Sequence, residues 1–77
     1  MTTLDDLKEN ERGIIVKVNS VPKLKKRLID MGIAPGKVIT FKSKAPLGDP
    51  CLYTVMNSRY GIRREDARNI IVEKIKK

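Results

Sequence analysis

Chemistry in this 77-residue chain must come from side chains that ligate metals, pass protons or attack, and these are few. Histidine is absent and cysteine occurs once, as Cys51. A histidine-based triad is therefore excluded, as is a conventional zinc or non-haem iron site built by one copy of the chain. Asp5, Asp6 and Glu9 lie close in sequence, but carboxylates alone hold a hard ion weakly and without selectivity. Cys51 falls on the inward face of a predicted strand, where a thiol is a small apolar residue. No metal ligand, cofactor or catalytic residue is assigned. The doublet Arg63-Arg64 could offer an arginine to a phosphate, where it would stabilise transition-state charge. The plainer reading is that these arginines flank a helical turn and pair with Glu65, Asp66 or Asp49, and a doublet alone does not favour the first. The chain reads as a binding module and not an enzyme.

The binding candidates are a charged segment and a loop. The net charge is +8, unevenly spread: −2 over residues 1–16, +7 over 17–44 and +3 over 45–77. The excess centres on Lys23, Lys25, Lys26 and Arg27, a patch suited to nucleic acid, an anionic membrane face or an acidic protein. The competing reading is a solvated helix back, with Arg27 and Asp30 paired at i, i+3 for only ~0.3–0.5 kcal/mol. The loop Ala45–Pro50 holds Pro46, Leu47, Gly48 and Asp49, and its two prolines stiffen it. A rigid loop loses little entropy on binding, so the loop as a whole reads as a contact surface. Leu47 by itself is expected to fold under and plug an open barrel end.

Short elements punctuated by Gly and Pro must position these groups. Gly13 opens the β-branched run Ile14–Val18, a strand. Ser20 and Pro22 mark a helix start, with Ser20 as cap. Val21, Leu24, Leu28 and Met31 form one helical stripe, and Gly32 stops the helix. Ala34-Pro35-Gly36-Lys37 has the residues of a type II turn. Residues 37–43 alternate as a strand, with Ile39 and Phe41 on one face. Cys51, Tyr53 and Val55 share a face of the next strand; Asn57-Ser58 is the expected hairpin turn before a return strand, Arg59–Ile62. One helical turn, Arg64–Arg68, is ended by Asn69 in the left-handed region, and Ile70–Ile75 is the last strand. The fold class is mainly β, a small α+β domain. It is a five-stranded SH3-like barrel with one helix after strand 1 and a short helical turn before the last strand. Residues 1–77 form a single domain.

Three segments carry a resemblance. They are Lys26–Gly36 (Lys-Arg-Leu-Ile-Asp-Met-Gly-Ile-Ala-Pro-Gly), Ala45–Pro50 (Ala-Pro-Leu-Gly-Asp-Pro), and Ile62–Ala67 followed by Ile70-Ile71-Val72. In this order and at these separations they resemble the FeoA family, the small cytosolic component of bacterial ferrous-iron transport, over roughly residues 4–75. The resemblance implies an SH3-like barrel and a partner, the FeoB-type membrane GTPase permease that carries ferrous iron inward. Iron handling then belongs to the partner. Two positions depart from the family: Cys51 replaces a more usual aliphatic residue, and Gly61 a small residue with a side chain.

The expected core is Val16, Val18, Leu24, Leu28, Ile39, Phe41, Tyr53, Val55, Ile62 and Val72. The expected function is an accessory or regulatory protein of ferrous-iron transport acting by protein–protein contact. The partner-binding candidates are Lys23, Lys25, Lys26, Arg27, Pro46, Leu47, Gly48, Asp49, Arg63 and Arg64. The alternative is a basic nucleic-acid-binding SH3-like module. Its weakness is that Phe41, Tyr53 and Tyr60 all alternate inward, leaving charge without a base-stacking platform. No segment approaches the ~20 apolar residues of a membrane span. The acidic, polar start Met1–Arg12 is unlike a signal peptide. The lone thiol fits a reducing compartment. A cytoplasmic monomer is expected, peripheral to the membrane only through its partner.

Overall fold

The computed structural model describes residues 2–75. The chain runs through a 3-10 turn (Leu4–Asp6), β1 (Arg12–Val18), α1 (Pro22–Asp30), β2 (Val38–Lys44), β3 (Cys51–Val55), β4 (Ser58–Ile62), α2 (Arg64–Ala67) and β5 (Ile70–Ile75). The strands form one antiparallel sheet in the order β4-β3-β2-β1-β5. Strand count, helix placement and last-strand limits are those read from the sequence.

The core gathers the inward side chains of all five strands with Leu28 of α1 and Ala67 of α2. Val18, Leu28, Ile39, Phe41, Tyr53, Val55, Ile62 and Val72 are buried as expected, and Leu24 is half-buried against them. Val16 is not: it is 51% exposed, and Ile15 takes the inward place at 1%. The cause is a β-bulge. Ile15 pairs with Val72 but Lys17 pairs with Ile71, so one extra residue sits in β1 opposite β5. The extra residue breaks strict alternation, and the strand buries Gly13, Ile15 and Val18.

Local turn chemistry follows the residues with three exceptions. Helix α1 ends in a Schellman arrangement: the N–H of Gly32 reaches the Ile29 carbonyl and that of Ile33 the Leu28 carbonyl, both at 2.9 Å. Gly32 holds φ +95°, which needs no Cβ, and Ile33 folds back to full burial. The Ala34–Lys37 turn closes with a 3.1 Å bond from Lys37 N–H to the Ala34 carbonyl, with Gly36 at φ +89°. The first exception is the start of α1. Val21, not Ser20, occupies the cap position, no side chain caps the helix, and the Ser20 hydroxyl is buried without a partner. The second is the β3–β4 hairpin. Its two turn residues are Met56-Asn57, both at positive φ, one position earlier than Asn57-Ser58, because Val55 pairs with Ser58. Asn69 also ends α2 differently from expectation. Its side-chain amide donates to the Glu65 carbonyl at 3.2 Å, and it is not among the residues of positive φ.

The N-terminal segment read as merely polar is structural. Leu4 and Leu7 are buried. The Asp6 carboxylate accepts from the Thr3 N–H at 2.9 Å and the Thr3 hydroxyl at 3.2 Å, which sets the 3-10 turn.

Candidate functional site

Three of the four residues 5–11 that bear carboxylates are committed to internal bonds. Asp5 receives Arg64 Nε at 3.1 Å and Arg68 Nε at 3.5 Å, tying the N-terminal turn to α2. Glu11 accepts the Lys8 N–H at 2.6 Å and the Lys74 ammonium at 3.0 Å. Hydrogen bonds from the Thr3 and Lys8 backbone hold the Asp6 and Glu11 carboxyls below their usual range, and Lys74 adds to the effect at Glu11. The Asp49 carboxylate accepts the Arg64 backbone N–H at 2.9 Å, anchoring the 45–50 loop to the start of α2. Arg64 therefore pairs with Asp5, a partner outside the three expected for it. The bond to Asp5 raises its already high pKa.

Beside this knot lies a cleft of about 600 Å³, walled by Asp5, Lys8, Lys44 and Arg64 over Phe41 and Tyr53. Cys51 sits at its base, buried, with its thiol 3.6 Å from the Gly48 carbonyl. Burial first, and then the neighbouring Asp49, push that thiol above the ordinary range. Burial likewise raises the Tyr53 hydroxyl. These two groups stay protonated at neutral pH, so neither is an activated nucleophile. Among the described residues, no three His, Cys, Asp or Glu side chains come together as a metal site.

The cations of α1 are arranged otherwise. Lys23, Lys25, Lys26 and Arg27 are all exposed, and none joins an ion pair among the described residues. The expected Arg27–Asp30 pair is therefore absent there. Lys25 and Lys26 flank a groove of about 420 Å³ with Pro22 and Ile29 as its apolar lining. The exposed Val21 continues the apolar surface of this helix.

The 45–50 loop closes on itself through Gly48 N–H to the Ala45 carbonyl at 2.7 Å and Ala45 N–H to the Pro50 carbonyl at 3.2 Å. Pro46 and Asp49 are exposed. Leu47 does not fold under: it stands 96% exposed at the loop tip. The tight turn closed by Gly48 N–H on the Ala45 carbonyl holds it at the loop tip, away from the core.

Two of the candidate groups approach one another at β4. Gly61 lines a cleft with Arg27, Arg63 and the α1 side chains Leu24, Leu28 and Met31. It also lines a second cleft with Pro46, Pro50 and Lys44 of the loop side. Gly61 lines both clefts and Asp5 ties α2 to the N-terminal turn, yet neither is among the partner-binding residues expected from the sequence. The signal for Asp5 was its surplus of negative charge opposite Arg64 and Arg68.

The family model described as the FeoA domain matches residues 2–74. The chain is 40% identical over 72 residues to the "Fe(2+) transport protein A/Fe(2+) transporter FeoB fusion protein" of Porphyromonas gingivalis. That match covers 94% of this chain and 8% of the fusion protein, so the chain spans a small fraction of that relative's length. Among solved structures, the FeoA protein of Chlorobium tepidum superposes with a TM-score of 0.93 at 29% identity, over 97% of this chain and 71% of that one. The FeoA of Stenotrophomonas maltophilia, solved with zinc and described as a procaryotic SH3 domain protein, gives a TM-score of 0.83 at 23% identity. That alignment covers 95% of this chain and 91% of the other, and it confirms the SH3-like fold.

Proposed function

We propose that this chain, which belongs to the FeoA family, is an accessory protein of ferrous-iron transport that acts by contact with an FeoB-type membrane GTPase permease. One observation carries the reading: in Porphyromonas gingivalis a 40% identical segment is part of the same polypeptide as an Fe(2+) transporter FeoB. Covalent linkage holds two modules at millimolar effective concentration, which serves modules that must meet. Among the described residues of this chain no helix is long and apolar enough to cross a membrane, so on this reading it meets the permease from the aqueous side. Its free cations on α1 supply long-range attraction, and the stiff loop with the exposed Leu47 supplies shape.

The nucleic-acid alternative loses support from burial. Phe41 and Tyr53 are in the core, and Tyr60 is half-buried with its hydroxyl donated to the Met31 carbonyl, so stacking surfaces are not offered. The test measures association of the cytoplasmic part of an FeoB-type permease, and of random single-stranded RNA, across a salt series. Charge reversal at Lys25 and Lys26 should slow association with the permease and flatten its salt dependence. Leu47→Asp should speed dissociation, because it places an ion in an apolar contact. Tight RNA binding with none to the permease part would refute the reading.

A further inference from the structure

We propose that the open edge of β4 receives an extended, acidic segment of a protein partner as a sixth strand, centred on Gly61. The proposal rests on the contact reading above only in taking the partner to be a protein.

The sheet has two edges, and they are treated differently. The outer side of β5 is covered by the N-terminal segment: Val72 N–H donates to the Thr2 carbonyl at 2.9 Å, and Thr3 bridges to Ile71. The outer side of β4 has no such cover among the described residues. The hairpin geometry says which groups are open. A two-residue turn is closed by a hydrogen-bonded pair, here Val55 with Ser58, and bonded pairs then alternate along the ladder. Tyr60 and Ile62 thus bond to Tyr53 and Cys51, while the N–H and C=O groups of Arg59 and Gly61 face outward.

An open edge is ordinarily guarded by bulky or charged side chains or by a bulge. At Gly61 there is no side chain, the residue is exposed, and the β3–β4 register is unbroken. A pairing strand sends alternate side chains to the two faces of the sheet. Gly61 lines two clefts, one shared with α1 and one with the 45–50 loop. One, of about 210 Å³, is floored by Leu24, Leu28 and Met31. The other, of about 350 Å³, lies against Pro46, Pro50 and Leu52. The site therefore offers main-chain bonds at the edge and side-chain room in the two clefts, the two components of recognition by strand addition.

Charge selects the occupant. Arg59 and Arg63 stand on either side of Gly61, Arg27 lines the cleft shared with α1 and Lys44 the one shared with the loop. None of the four is in an ion pair among the described residues, and Asp66 is the single acidic group in either lining. An extended segment alternating small apolar and acidic residues meets both the clefts and the cations. A nucleic acid satisfies the charge but offers no matching ladder of amides.

The test uses the full chain, labelled with nitrogen-15, and a capped peptide of alternating glutamate and valine long enough to span β4. Binding should slow amide exchange at Arg59 and Gly61, with little change at Tyr60 and Ile62, which the ladder already protects. A second peptide, N-methylated at the amides that would face β4, keeps every charge and side chain; it should bind about tenfold more weakly or worse. Gly61→Leu should weaken binding while leaving the fold intact, since a Cβ there meets only Pro50 at an ordinary 3.7 Å. Equal affinity of the two peptides, or no slowing at Arg59 and Gly61 at millimolar peptide, overturns the proposal. Binding of the permease part with those two amides unaffected overturns strand addition and leaves the contact reading standing. Methylation-sensitive protection by the peptide, with no binding of the permease part, does the reverse.

Discussion

Replacing Ile15 and Val16 by threonine, one at a time, tests whether the bulge in β1 orders the core. Both residues are β-branched, so the change to threonine leaves strand propensity nearly constant and isolates burial. Ile15 is 1% exposed and Val16 51% exposed. Ile15→Thr removes one terminal carbon, worth ~0.8 kcal/mol, and exchanges a second for a hydroxyl. That hydroxyl enters an apolar core in which the described buried residues are all hydrophobic, so it adds an unsatisfied-group cost of ~1–3 kcal/mol. The total, about 2–4 kcal/mol, is a large share of the roughly 4–12 kcal/mol expected for a domain of this length. Val16→Thr is isosteric at a surface position and should stay within ~0.5 kcal/mol. In thermal unfolding followed by circular dichroism, Ile15→Thr should lower the midpoint by about 10–25 °C, and Val16→Thr by a few degrees at most. Strict alternation through Val18 makes the opposite forecast, because it turns Val16 inward. A larger loss for Val16→Thr than for Ile15→Thr would refute the bulged register and the packing derived from it.

The Asp6 and Glu11 carboxyls titrate below their unfolded values, so the unfolded chain binds more protons in acid. Urea unfolding should show full stability above about pH 5 and a decline as pH falls through 4 and below, a slope reduced by Asp6→Asn with Glu11→Gln. The raised Cys51 and Tyr53 values act at the other end: the unfolded chain loses these protons first, so stability should fall as pH rises above about 9. The Cys51 thiol should also react with a disulfide reagent far more slowly in the folded protein than in urea. Asp5→Asn removes the acceptor charge shared by Arg64 and Arg68 and should cost ~0.5–1.5 kcal/mol by denaturant midpoint, with the sheet intact by amide shifts.

The sequence was legible where one local rule decided the outcome. Gly32 after Met31 and Pro35-Gly36 before Lys37 each demand a particular backbone geometry, and the structure has it. The alternation Cys51-Tyr53-Val55 places one face inward because β3 is paired on both sides without a break on the β4 side. It failed where two rules competed. In Ile14–Val18 every residue but Lys17 is apolar and β-branched, so alternation is degenerate, and only pairing with β5 selects the bulged register. At Met56-Asn57-Ser58 no glycine fixes the turn, and the cross-strand register of Tyr53 with Tyr60 shifts it by one. Leu4 and Leu7 were hidden by their acidic neighbours, whose charges turn out to be partnered. Of the candidate site, the exposed cations of α1 could be read from composition. The open edge at Gly61 could not, because it depends on which strand ends the sheet.

The distribution of acidic groups connects these observations to function. The chain's nine carboxylates could in principle neutralise much of its positive charge. Instead Asp5, Asp6, Glu11 and Asp49 are drawn into bonds that fix the N-terminal turn, the 45–50 loop and α2. They carry the rigidity of the end of the molecule that holds Cys51 and Tyr53. The cations left over, Lys23, Lys25, Lys26 and Arg27 on α1 with Arg59 and Arg63 about β4, have no acidic partner among the described residues. Exposed cations of this kind add almost nothing to folding, since neither burial nor pairing rewards them. Their field is felt instead by whatever approaches, over about a Debye length at cellular ionic strength. On the accessory-protein reading proposed above, these cations serve recognition of a partner. On that reading the bonds of Asp49 and Asp5 hold the 45–50 loop and α2 in one shape, so that the long-range attraction of the cations can end in a specific contact at the loop.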